Sequence, residues 1–265
     1  MRVLLSTIGS RGDVQPLVAL ASQLRALDQQ VRLCVPPDFR DWVYSHGFPV
    51  VPIGPELRRA TASLPPVPFS PERRRELAEA SVATQFETIA AAAADCDVIV
   101  AATALQIAAR SVAERLGIPY VFAAYCPNVL PSPHHAPPPL PNLPGQPAPA
   151  AADSRELWAR DGQRFNDLFS ASLNSHRASI GLAPVSDVRR YVFTDRPWLA
   201  ADATLAPWPD PSDHAVFQTG AWILPDERPL SSELEKFRTS ACLASARRMN
   251  TDLRPRSWTR SAVWS

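Results

Sequence analysis

Five residues near the amino end, Gly9-Ser10-Arg11-Gly12-Asp13, set a carboxylate and two glycines directly after an apolar run, Val3-Leu4-Leu5. In open α/β sheets, ligands bind beyond the carboxyl ends of the strands, beside turns of this kind. Gly9 and Gly12 permit a tight turn and close approach of a ligand to the backbone. Asp13, facing such a crevice, can take a proton from a hydroxyl. The same pattern also fits a plain first-turn acid or N-cap of the following helix, and the loop alone does not separate the two. It is not a dinucleotide fingerprint, because the third glycine of G-x-G-x-x-G is missing.

The elements that must position this loop alternate in type. Short apolar runs predict strands over 2–6, 31–35, 48–53, 97–102 and 118–125. The segment 14–28 places Leu17, Leu20, Ala21, Leu24 and Leu27 on one helical face. A second helix over 71–94 follows Ser70-Pro71, a cap with proline at the first helical position. A third, over 104–116, ends at Gly117. Helices between apolar strands imply βαβ units and a mainly parallel sheet. Residues 127–150 are proline-rich and predict a semi-rigid loop at the strand ends, where binding groups concentrate. Helical periodicity returns over 154–180, and Val216–Gly220 reads as a closing strand.

Composition narrows the function. The chain has 265 residues, 46% hydrophobic, with a net charge of +1, so nothing electrostatic points to nucleic acid. The sequence starts straight into a strand without a signal-like segment and has no apolar run long enough for a membrane span, which predicts a cytoplasmic protein with no membrane partner. Cys34, Cys96, Cys126 and Cys242 are too widely spaced for a zinc or redox pair, and no metal site is evident. Cys34 and Cys126 lie in strand-like runs and read as buried thiols. His134 and His135 are either ligand contacts in the proline-rich loop or solvated residues. His176 reads as a structural hydrogen-bonding group. Trp198, Trp208 and Trp222 read as packing at the domain edge.

The segment from 1 to about 237 resembles the acceptor-binding half of bacterial two-domain glycosyltransferases of the GT-B type, those of vancomycin-group glycopeptide biosynthesis in particular. The likeness rests on an ordered series. Gly9–Asp13 is followed by Pro16-Leu17-Val18-Ala19-Leu20, Val35-Pro36-Pro37-Asp38, Ser111–Tyr120, Asn174-Ser175-His176-Arg177, Thr194–Ala200 and Gln218–Glu227. The resemblance implies a Rossmann-like parallel sheet flanked by helices, the N-terminal domain of a GT-B fold with its donor domain missing. It implies transfer of a hexose, with inversion, from a UDP- or dTDP-sugar to a hydroxyl of a glycopeptide-type aglycone, without a cofactor. Asp13 would be the general base, and Ser10, Arg11 and Gly12 the loop near the donor diphosphate. Tyr125, Pro127, Pro133 and His134 would face the aglycone.

On this reading residues 1–222 form the acceptor domain and 223–237 the interdomain linker. Residues 238–265 lose both periodicity and resemblance. One choice of codons from Cys242 onward, TGC CTG GCT TCG GCT CGC, read from the third base, spells Pro-Gly-Phe-Gly-Ser, and the resemblance implies Gly-Phe-Gly-Ser as a motif of the donor domain. The expectation is a frame slip between Phe237 and Cys242, leaving a non-native tail and a chain inactive by itself. An acceptor-binding module without transferase activity is the alternative. A nucleotide-binding oxidoreductase half ranks last, because strand 2 ends in Cys34-Val35-Pro36-Pro37 rather than an acid.

Overall fold

A computed structural model describes residues 1–56, 70–138, 153–209, 215–225, 229 and 231–237. Residues 1–224 form one compact unit and 225–265 another. The expected tail, 238–265, lies outside the described residues, as do 139–152 of the proline-rich loop and His214.

The first unit is built on a seven-stranded sheet in the order β3-β2-β1-β4-β5-β6-β7, all neighbours parallel. The strands are β1 (Arg2–Thr7), β2 (Gln30–Val35), β3 (Val50–Pro52), β4 (Val98–Ala102), β5 (Tyr120–Ala124), β6 (Trp198–Leu199) and β7 (Phe217–Gln218). Alternation divides the side chains between two cores. Val3, Leu5, Leu33, Val100 and Ala123 face α1 (Arg11–Ala26) and α2 (Arg40–Ser45). Leu4, Cys34, Ile99, Ala101 and Phe122 face α3 (Pro71–Ala93), α4 (Ala109–Leu116), α5 (Ser154–Ser179) and α6 (Val188–Phe193). Helices on both faces explain why the strands read as continuous apolar runs rather than half-polar ones.

The five expected strands are present, shortened at the third to Val50–Pro52. Helix α1 starts at Arg11, three residues earlier than the apolar period indicates, so Gly12 and Asp13 lie inside its first turn. Pro16 is tolerated near this end at the loss of one intrahelical bond. Ser70 caps α3 as expected, its hydroxyl accepting from the Arg73 amide at 3.2 Å. Helix α4 starts at Ala109 rather than 104, because Thr103 adopts φ +74° and residues 103–108 form a loop. Cys126 is exposed rather than buried, because β5 ends at Ala124 and the chain has left the sheet by that point. His176 stacks on Phe86 with ring centroids 4.9 Å apart, a packing role in place of the expected hydrogen bond.

Two buried arginines fasten the helices. Arg177, on α5, donates to Ser111 Oγ at 2.9 Å, to Glu114 at 2.8 Å, to the Ala183 carbonyl at 2.7 Å and to the Tyr191 hydroxyl. Arg189 pairs with Asp161 at 2.8 Å, both almost fully buried. Its guanidinium lies over the Trp158 ring and against Gly162, where a Cβ would approach Nη2 to 3.4 Å.

Two outcomes follow from these buried groups. Arg189→Ala leaves the Asp161 charge buried and should cost about 3–5 kcal/mol in urea unfolding, whereas the double variant Arg189→Met with Asp161→Leu should recover most of it. Burial pushes the Cys34 thiol from its ordinary 9.0 up to about 12. The folded state therefore holds this proton after the unfolded chain has released it, so stability should fall as pH rises from about 9 towards 12. Cys34→Val should flatten that slope in unfolding measured across the alkaline range.

Candidate functional site

The sheet order places β1 between β2 and β4, so successive connections leave it in opposite directions. The crevice at the carboxyl ends of β1 and β4 is the switch point of the sheet, where open α/β folds place their ligands. The Gly9–Asp13 turn forms one side of it.

Asp13 is the third residue of α1, and its carboxylate folds back across the turn. Oδ2 accepts from the Ser10 amide at 2.6 Å and from the Ser10 hydroxyl at 3.1 Å. The negative charge thus caps the helix's amino end, which satisfies an otherwise orphaned donor. Asp13 is thus a first-turn capping acid, and it lies at the switch point of the sheet. A Cβ on Gly9 would come within 2.2 Å of Asp13 Oδ2 and 2.9 Å of its Cβ. The close approach expected at Gly9 is thus made by the Asp13 carboxylate. Gly12 is not constrained in this way, since a Cβ there meets only Ser10 Oγ at 3.6 Å.

Arg11 turns away from the loop. Its Nε donates to Gln15 Oε1 at 3.1 Å and its guanidinium lies 4.7 Å from the Trp42 ring centroid, on α2. Tyr125, just past β5, donates its hydroxyl to the Asp13 carbonyl at 3.0 Å. Burial, and then the Asp13 charge, hold the phenol well above its ordinary range. Its ring meets Trp222 edge-on at 6.0 Å, and Trp222 meets Trp198 at 6.4 Å. The tryptophans therefore pack at the domain edge, as expected. The Cys126 thiol is raised by partial burial and by the same Asp13 charge.

Pro127 opens a short 3-10 turn, Pro127–Val129, and is half-buried, as is Pro133. His134 is exposed, with its amide donating to Ser132 Oγ at 3.1 Å. The adjacent His135 is the anchored one. Its Nε2 lies 2.9 Å from the Leu130 carbonyl, its ring lies between Trp158 and Trp208, and its carbonyl accepts from Trp158 Nε1 at 2.8 Å. The structure thus brings together Ser10, Asp13 and Tyr125. No hydrogen bond or ring contact among the described residues joins Pro133 or His134 to them.

A second wall of the crevice was not visible in the sequence. Thr103 donates to the Ile8 carbonyl at 3.3 Å, which ties the 103–108 loop to the turn. Ser6 Oγ donates to Gln106 Oε1 at 2.8 Å. From α3, Gln85 donates to the Leu105 carbonyl at 3.0 Å and accepts from the Ala108 amide at 3.2 Å. Gln85 and Gln106 are fully buried, and neither is assigned a role from the sequence; a glutamine among the apolar positions of a helix is the kind of signal that marks such a clamp. Two surface recesses of about 380 and 410 Å³ lie at the opposite, amino ends of the strands, and Asp13 lines neither. No group of three metal-ligating side chains occurs among the described residues. No helix among them is long and apolar enough to cross a membrane.

Residues 3–132 match the glycosyltransferase family 28 N-terminal domain. The glycosyltransferase GtfE of Amycolatopsis orientalis is 50% identical over 239 residues, which is 89% of this chain and 58% of that protein. The vancomycin aglycone glucosyltransferase of the same organism is 47% identical over 89% of this chain and 57% of its own length. The chain therefore spans a little over half the length of these relatives. Among solved structures, the calicheamicin glycosyltransferase CalG4 shares the fold with a TM-score of 0.59 at 19% identity, over 86% of this chain and 55% of that one. The parallel sheet, the turn at its switch point and this continuous likeness agree: residues 3–132 match the glycosyltransferase family 28 N-terminal domain, in a chain similar along most of its length to the glycosyltransferase GtfE and the vancomycin aglycone glucosyltransferase.

Proposed function

We propose that this chain is the acceptor-binding half of an inverting glycosyltransferase that glycosylates a glycopeptide-type aglycone. The observation that carries the reading is the placement of Asp13 at the switch point of a domain about half identical to glycopeptide glycosyltransferases. In this reading an acceptor hydroxyl oxygen attacks the anomeric carbon of a UDP- or dTDP-hexose. The bond from that carbon to the diphosphate breaks and its electron pair leaves with the nucleotide. The acceptor proton passes to the Asp13 carboxylate. A phenol ionises near pH 10, so the carboxylate need only accept the proton as attack proceeds.

The other residues have supporting roles. Tyr125 holds the first turn of α1 through the Asp13 carbonyl, so the base stands on a fixed backbone. Ser10 and Gly12 are exposed on the same turn, open to the donor side. Pro127, Pro133 and His134 lie on the loop that follows β5, on the aglycone side. In this reading the nucleotide-sugar is held by a separate donor half. Transfer needs acceptor and nucleotide-sugar held in line, so the acceptor half by itself binds without turning over.

The test has two parts. The full chain should bind a glycopeptide aglycone in isothermal titration, and absence of binding would overturn the reading. Residues 1–224 joined to the donor half of GtfE should transfer sugar. In that enzyme Asp13→Asn should lower kcat by about 10²–10⁴-fold with aglycone affinity nearly unchanged. Tyr125→Phe loses one hydrogen bond and should reduce stability by about 1 kcal/mol in urea unfolding, with a smaller loss of kcat than Asp13→Asn.

A further inference from the structure

We propose that Gly9 is a positioning residue: its lack of a side chain sets which oxygen of Asp13 is free to accept the substrate proton. The inference rests on the reading of Asp13 as the base. The carboxylate lies across the turn in the space a Cβ at position 9 would fill, 2.2 Å from Oδ2 and 2.5 Å from Cγ. Gly9 has no positive φ, so the backbone conformation does not itself demand glycine there. The demand comes from the carboxylate alone. Once seated, Oδ2 is held by two donors from Ser10. Oδ1 receives no donor among the described residues, and it is the atom to which the acceptor proton transfers.

The arrangement divides the carboxylate into an anchored oxygen and a working one. Rotation about the Asp13 side chain would exchange these roles or swing the group away from the turn, and the Ser10 pair opposes both. A methyl group at position 9 makes the anchored geometry impossible. The contact at 2.9 Å to the Asp13 Cβ means that rotating the carboxylate aside does not by itself relieve the clash. The helix start must shift as well, which moves the base relative to the acceptor. A displacement of about 1 Å costs on the order of 100-fold in rate.

Three readouts test this. In the full chain, the Ser10 amide should give a protected signal in hydrogen exchange, because the Asp13 carboxylate holds it. That protection should vanish in Gly9→Ala and in Asp13→Ala while the remaining amide spectrum is kept. A Gly9→Ala chain that still shows the protected Ser10 amide would overturn the proposal. In the enzyme made with the GtfE donor half, Gly9→Ala should lower kcat about 10- to 100-fold with the aglycone KM within about twofold. A proportionate rise in KM with kcat unchanged would overturn the positioning role. The third readout is a double-mutant cycle on thermal unfolding, which holds even if Gly9→Ala folds poorly. Gly9→Ala should destabilise the parent chain and have little effect in an Asp13→Gly background, where the clashing atoms are gone. Equal destabilisation in both backgrounds would overturn the proposed contact. Loss of the Ser10 signal in Gly9→Ala, with full transfer retained in Asp13→Asn, would remove Asp13 as the base and leave only the geometry standing.

Discussion

The position of β1 is the constraint on which the rest of the domain depends. It is hydrogen-bonded along both edges, to β2 from Arg2 to Ser6 and to β4 from Val3 to Thr7. Its side chains are buried on both faces, Val3 and Leu5 towards α1, Leu4 towards α3. A strand fixed in this way has no freedom to slide, because a one-residue slip would exchange its two faces. Everything chemically interesting begins where this rigid strand stops. The turn at Gly9 inherits its position from β1, and the first residues of α1 inherit theirs from the turn.

The edge that carries the Gly9–Asp13 turn is also tied sideways. The loop that follows β4 carries a threonine in the left-handed region, a conformation that costs about 1–3 kcal/mol and persists only where its surroundings enforce it. Ser6, Gln85 and Gln106 enforce it from a strand, a helix and the loop itself. Tyr125 adds a tie from β5 to the carbonyl of Asp13. Asp13 is thus held through its carboxylate and through its backbone carbonyl, and the turn before it is tied to the opposite wall, by elements that are far apart in sequence.

The sequence made much of this legible, for identifiable reasons. Apolar runs such as Val3-Leu4-Leu5 mark strands covered on both faces, and Ser70-Pro71 marks a helix start by local chemistry alone. The apolar period places the start of α1 late because Gly12 and Pro16 mask a helix whose first turn is stabilised by a polar cap, Ser10 with Asp13. Helix α6, and the two-residue β6, carry too few residues for a period to show. The sequence period runs a helix back to 104, over a loop whose fold depends on Gln85 and Ser6, which reach it from about 20 and 100 positions away. Of the neighbouring histidines, only three-dimensional packing separates the exposed His134 from the anchored His135.

The bond between Trp158 and the His135 carbonyl closes a span of the chain that includes residues 139–152. It joins the first half of the proline-rich loop to the first turns of α5. Both anchors lie in described parts of the chain, so the attachment is fixed at its two ends by packing and a hydrogen bond rather than by the residues between them. Neither anchor touches β1, the Gly9–Asp13 turn or the Ser10 pair. The position of Asp13 is therefore independent of the length of chain that joins His135 to α5.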